Sequence, residues 1–162
     1  MRLLAISLLV FFCSCRSYIY VVRHAEKATP MGNITDVALT PAGEQRAQAL
    51  LDSLKDKKIK AIYSTNTIRT RSTAKPTADH FHLNIGTCPN MPDSGFILTL
   101  QRTHKNTLVV GHSNTVDDIV NRVCGAVLIP GDLKDGEYDN LFVIVKKGKR
   151  FMLLKKKYGE SR

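Results

Sequence analysis

The sequence predicts an α/β protein: a three-layer α/β/α sandwich with a mainly parallel central sheet and a C-terminal β-hairpin. Three observations predict it. Short β-branched or aromatic runs recur at Tyr18–Val22, Ile59–Tyr63 and Thr107–Gly111. Amphipathic stretches of helical length separate them, and that alternation puts parallel strands between two helical layers. Two more apolar runs, Leu141–Val145 and Phe151–Leu154, flank the polar Lys146–Arg150, which reads as a hairpin connection. The length of 162 residues fits one ordinary domain with a real core. A hydrophobic content of 43% with 23% charged residues excludes a disordered or fibrous chain. Four cysteines are too few for a disulfide scaffold of this size.

The elements follow in order. Arg2 precedes an uncharged apolar run from Leu3 to Phe12. That run is shorter than the ~20 residues that span a bilayer. A basic start, a short apolar run and a small residue before a cut read as a secretory signal over residues 1–14. Ser14–Cys15 resembles a bacterial lipoprotein box, with Phe12 where such boxes prefer Leu, and Cys15 is the candidate lipidation site. This reading expects a lipid-anchored or periplasmic protein of the bacterial cell envelope; the alternative is a buried first strand or helix. Only Arg16 and Ser17 separate Cys15 from the first strand, so an anchored domain sits against the membrane.

Tyr18–Val22 is a buried strand bounded by Arg23 and His24. Thr40 caps a helix that Pro41 opens. Ala47, Leu50, Leu51 and Leu54 give that helix its apolar stripe, and Lys55–Lys58 suit the negative end of its dipole. Ile59–Tyr63 is the second strand, and a helix follows over Thr67–Phe81. Asn84–Pro92 reads as loop, Gly95–Lys105 as helix, Thr107–Gly111 as the third strand and Ser113–Cys124 as the last helix. Cys88 and Cys124 read as two buried free thiols, with pairing in an oxidising compartment as the alternative.

Three strands end in residues that chemistry can use. The first ends at Arg23–His24. The second runs into Ser64–Thr65 and then Arg69 on the next helix. The third ends at Gly111–His112, before Ser113–Asn114. Sites in open α/β sheets form outside the carboxyl ends of the strands, where helix N-termini favour anions. Arginine grips phosphate oxygens through two parallel hydrogen bonds. One histidine suits nucleophilic attack on phosphorus, and a second can stabilise charge on the transferring group. Two Arg and two His supply the positioning and charge stabilisation of phosphoryl transfer without a metal.

Val21–Lys27, reading VVRHAEK, resembles the signature of the histidine phosphatase superfamily, which has the phosphoglycerate mutase-like fold. Leu39–Gly43 resembles its L-T-x-x-G helix start. Tyr63–Ala74 resembles its Y-S-S-x-x-x-R-A-x-x-T-A segment. Val109–Thr115 resembles its second-histidine motif. The resemblance runs over about residues 18–145, with the domain expected at 18–157. It implies that His24 becomes a phosphohistidine, that Arg23 and Arg69 clamp the phosphoryl group, and that His112 completes the pocket. It implies no metal or organic cofactor, a small phosphorylated substrate, and hydrolysis of phosphomonoesters. Ala25 stands where many members have Gly. Pro30 stands where mutases and sugar-phosphate phosphatases have Asn. The chain lacks the insertions that enclose a phosphoglycerate, so mutase activity is not expected.

The leaving oxygen needs a proton, and many members supply it from a carboxyl group between the second and third motifs. Only Asp79 and Asp93 are acidic there. Asp93 is the better placed, with a helix cap as its other reading; Glu26 is the second candidate. Absence of an acid would suit a phosphohistidine-protein phosphatase, because a protonated imidazole leaves readily. His80 and His82 read as helix-end surface residues rather than metal ligands. Lys146, Lys147, Lys149, Arg150 and Lys155–Lys157 make a basic hairpin within a net charge of +10. That surface suits anionic lipid headgroups or phosphorylated substrates. No aromatic-interleaved pattern accompanies it, so nucleic acid is not an expected partner. A non-catalytic phosphate- or lipid-surface-binding lipoprotein is the alternative from another class.

Overall fold

The computed structural model describes residues 16–159. The signal peptide expected over residues 1–14 and the lipidation expected at Cys15 lie outside them.

The chain forms β1 (Arg16–Arg23), α1 (Pro41–Leu54), β2 (Ala61–Ser64), α2 (Ile68–Phe81), β3 (Ile85–Thr87), α3 (Ser94–Arg102), β4 (Thr107–Gly111), α4 (Val116–Cys124), β5 (Asn140–Lys147) and β6 (Arg150–Lys157). One six-stranded sheet has the order β3-β2-β4-β1-β5-β6. The strands β1 to β4 pair in parallel; β5 runs antiparallel to β1, and β6 to β5. This is the expected three-layer sandwich with a terminal hairpin.

Alternation along β1 builds both cores. Ile19 and Val21 pack with Leu100, Val116 and Val120 in the layer of α3 and α4. Tyr20 and Val22 pack with Leu50, Leu54 and Ala74 in the layer of α1 and α2. Every residue of β4 is buried, as a central parallel strand covered on both faces requires. Cys88 and Cys124 are free thiols against the α3–α4 core.

The helix starts carry the signals seen in the sequence. The Thr40 hydroxyl accepts the Gly43 N–H at 3.1 Å, and Pro41 is the first helical residue. Gly43 has a second reason. A Cβ there would lie 2.1 Å from the Glu26 carbonyl oxygen, so only glycine lets α1 approach the segment after β1. The hairpin turns at Gly148, whose φ of +61° suits a two-residue connection.

Three elements differ from expectation. Ile85–Thr87, read as loop, is the edge strand β3 on β2. It is three residues long with a glycine at its centre, too short for a period-2 signal. The last helix starts at Val116, not Ser113. The Thr115 hydroxyl accepts the His112 N–H at 3.0 Å and holds the intervening residues in a tight turn. β2 starts at Ala61, after Lys58 takes a left-handed conformation.

Candidate active site

The register brings the strand ends level. Arg23 pairs with Gly111, Val22 with Val110, and Ser64 with Val110 from the other side. The residues that follow these strands therefore emerge at one edge. They border an open groove of about 440 Å³ that includes Arg23, His24, Arg69, His112, Met91 and Asp135. A larger groove, of about 570 Å³, lies along the sheet near Tyr18 and Lys57 and contains no histidine.

His24 is 3% exposed. Its backbone N–H donates to the Gly111 carbonyl at 2.9 Å, continuing the ladder one residue past β1. Its ring lies 2.8 Å from the Ala25 carbonyl through Nδ1. A carbonyl only accepts, so Nδ1 carries the proton and Nε2 presents its lone pair. The Ala25 N–H is held in turn by the Thr73 hydroxyl at 2.9 Å. Burial, first, and the charges of Arg23, His112 and Arg69 push the His24 pKa down to about 3, against the Ala25 hydrogen bond. The ring is neutral at physiological pH.

His112 faces it edge-on, ring centroids 5.5 Å apart. Its Nδ1 accepts from the Arg69 guanidinium at 3.4 Å, and its Nε2 lies 2.9 Å from the Thr65 hydroxyl. Arginine only donates, so the neutral ring carries its proton on Nε2 and gives it to Thr65 Oγ1. Thr65 passes its own hydrogen to Thr70 Oγ1 at 3.0 Å. Burial, then Arg69 and Arg23, lower the His112 pKa to about 4.

The two arginines are fixed by different means. Arg23, 4% exposed, donates to the Lys134 carbonyl at 3.0 Å and lies 3.7 Å from the Asp135 carboxylate. Its guanidinium carbon sits 4.3 Å from the Tyr138 ring centroid, a cation–π contact. Arg69 lies 3.4 Å from Asp36, whose carboxylate also accepts the Ile68 N–H at the start of α2. The buried Nε of each arginine has no hydrogen-bond acceptor among the described residues. Two cations and two neutral imidazoles at one groove make an anion site with an available nucleophile.

The four residues expected from sequence thus come together; the two carboxyls do not join them. Glu26 accepts from Arg46 Nε at 2.8 and 2.9 Å, pinning α1 to the segment after β1. Asp93 caps α3, its Oδ1 accepting the Phe96 N–H at 2.7 Å. Neither borders the groove, whereas Asp135 does. The sequence places Ser64–Thr65 at a strand end without giving Thr65 a role, and Thr65 directly follows β2. Asp36, Asp135 and Tyr138 are not singled out; they lie on irregular segments without a signal.

The sequence pattern of the histidine phosphatase superfamily (branch 1) matches residues 19–96. The fold and the site agree with that match: residues 19–96 carry the histidine phosphatase superfamily pattern, and the fold is phosphoglycerate mutase-like. Among solved structures, it is similar to the SixA protein of Agrobacterium tumefaciens. The identity is 22%, over 88% of this chain and 99% of that one, with a TM-score of 0.66. It is similar to the protein histidine phosphatase SixA solved with tungstate. There the identity is 18%, over 86% and 96% of the two chains, with a TM-score of 0.71. It also resembles phosphoserine phosphatase from Entamoeba histolytica, at 14% identity over 90% and 98% of the chains and a TM-score of 0.60. No curated protein sequence matches the chain.

Proposed function

We propose that the protein is a phosphatase that hydrolyses small phosphomonoesters through a phosphohistidine on His24, without a metal or organic cofactor. The observation that carries this reading is the unprotonated Nε2 of His24 beside Arg23 and Arg69. Nε2 attacks phosphorus, the bond to the leaving oxygen breaks, and that oxygen takes a proton. Arg23 and Arg69 hold the equatorial oxygens, and His112 stabilises them. Water then attacks the phosphohistidine, releasing phosphate and restoring the lone pair on Nε2.

A second reading has its own support. Glu26 and Asp93 are engaged elsewhere, and Asp135, the carboxylate in the groove, faces Arg23. A site without a committed acid suits substrates whose leaving group departs unaided, and a phosphohistidine side chain is one. The leader and Cys15 favour an envelope-anchored enzyme and therefore a small substrate over a cytoplasmic phosphoprotein.

The test is turnover of a chromogenic phosphomonoester with and without EDTA, beside His24→Ala. EDTA-resistant turnover that vanishes in the variant is expected. Acid-labile phosphate trapped on His24 from phosphoramidate would separate a narrow-specificity enzyme from a binding protein, and failure of both assays would sink the reading.

A further inference from the structure

The end of the sheet opposite the groove is strongly basic, and the topology explains why. The α1–β2 connection, the α3–β4 connection, the N-terminus of β1 and the tip of the β5–β6 hairpin all meet where the parallel strands begin. The first connection exposes Lys55, Lys57, Lys58 and Lys60, and the second exposes Arg102 and Lys105. At the hairpin tip, Arg16 pairs with Lys147, and Lys147 with Arg150, with Lys149 in the turn between. The acidic residues in these connections are Asp52, at the end of α1, and Asp56; Asp52 is already paired with Lys55.

The loops form one surface. Asn106 accepts the Tyr18 N–H at 3.1 Å and donates to the Lys57 carbonyl at 2.7 Å. Lys146 and Ser17 both reach the Thr103 carbonyl. Apolar surface accompanies the charge: Met152 is 56% exposed and, with Phe151, Arg16 and Lys147, borders a shallow groove of about 330 Å³. No phosphate-handling residue is near, because Arg23 and His24 lie at the other end of β1. That strand's eight residues put about 25 Å between the two ends.

We infer that this pole docks on an anionic lipid surface, holding the catalytic groove on the side of the domain away from the membrane. Two independent observations select that occupant. The charge is complementary to acidic headgroups, and basic residues beside apolar side chains fit a bilayer interface. The described chain starts at Arg16 on this pole, so the apolar run of residues 3–12 joins the domain here and not at the groove. A single acyl chain holds a membrane weakly, and an adjoining basic surface supplies the second contribution to attachment. The inference deepens the envelope reading above and is independent of the catalytic one.

The test is co-sedimentation of the full chain with vesicles of phosphatidylcholine alone and of phosphatidylcholine with one-third phosphatidylglycerol. The apolar leader contributes to both, so the difference reads the pole. Tighter binding to the anionic vesicles, lost at high salt, is expected. Lys147→Glu/Lys149→Glu/Arg150→Glu should weaken that difference by roughly a hundredfold, from roughly fivefold per basic residue. The same charge change at Lys75, Lys134 and Lys155, away from the pole, should weaken it far less. Equal binding to the two vesicle types, or equal loss in both variants, would overturn the inference. Retention by an oligonucleotide without any vesicle preference would overturn it too, assigning the pole to nucleic acid. Mass spectrometry for a lipid on Cys15 tests the envelope reading separately, and turnover of the pole variant reports on the fold.

Discussion

His24 and His112 stand edge to face with ring centroids 5.5 Å apart. The Nδ1–H of His24 goes to the Ala25 carbonyl and the Nε2–H of His112 to Thr65. Both rings are held neutral by burial and by two arginines. That arrangement makes folding sensitive to acid. Unfolded, each imidazole takes a proton near 6.5; folded, they do so only near 3 and 4. Between those values the unfolded chain binds more protons, so stability is full above about pH 6.5 and falls as pH drops toward 4. The melting temperature should hold from pH 8 to 7 and decline steeply below about 6.5. A His24→Asn/His112→Asn variant should show a flatter decline. An unchanged slope would mean that other groups set the acid limit.

Thr65 is a positioning residue for His112. It is 2% exposed, and its hydroxyl accepts the Nε2 proton of the tautomer that Arg69 selects at Nδ1. Thr65→Val keeps the shape and removes the acceptor, at a cost of about 1–1.5 kcal/mol. The expected result is a loss of roughly tenfold in kcat/KM. Thr65→Ser should recover most of it. A serine variant as impaired as the valine one would mean that the methyl group's packing matters, not the hydrogen bond.

Much of this site is legible in the sequence because its residues sit where regular elements end. Arg23, His24 and His112 close strands made visible by β-branched runs, and Arg69 opens a helix. Parallel strands must deliver such residues to one edge. The supporting shell is less legible. Tyr138, Asp135 and Lys134 lie on the irregular stretch between α4 and β5, where no periodicity reports on position. Asp36 belongs to a similar stretch before α1. Asp93 and Glu26 show the opposite limit: the sequence supplies carboxyls of suitable type, but a cap and an ion pair with Arg46 occupy them.

Tyr138 tests how far that shell matters. Its ring lies under Arg23 at 4.3 Å and its centroid is 6.0 Å from that of His24. Tyr138→Leu keeps apolar volume and removes the cation–π contact, worth about 0.5–2 kcal/mol. The guanidinium then loses its orientation toward the bound anion. KM for a phosphomonoester should rise several-fold with a smaller fall in kcat. Tyr138→Phe should behave as the unaltered protein. An equal loss in the phenylalanine variant would point to the hydroxyl instead.

Gly43 ties the helix α1 to the segment that carries His24. An added methyl would meet the Glu26 carbonyl at 2.1 Å, a contact that only backbone movement relieves. Gly43→Ala should lower stability by about 1–3 kcal/mol. Activity should fall with it, since Glu26 lies two residues past His24. A chemical-denaturation curve superposable on that of the parent chain would show that α1 can shift without strain.

The three nearby carboxyls can be told apart by what their loss changes. Glu26 is bonded to Arg46, which is 7% exposed and would lose this carboxylate while keeping the Tyr158 carbonyl. Breaking such a pair costs about 3–5 kcal/mol. Glu26→Gln should therefore lower stability severely while the folded fraction keeps its pH–rate profile. Asp93→Asn keeps the helix cap, because the amide oxygen still accepts the Phe96 N–H, and should cost only about a few tenths of a kcal/mol, again without reshaping that profile. A group donating a proton to the leaving oxygen behaves differently. Its loss penalises alkyl phosphates, whose leaving oxygens need the proton, far more than nitrophenyl phosphate. On this structure neither variant should show that selectivity, and Asp135→Asn should instead shift KM through Arg23. A leaving-group-dependent loss of kcat in Asp93→Asn would return the acid's role to that residue and require the cap to break during turnover.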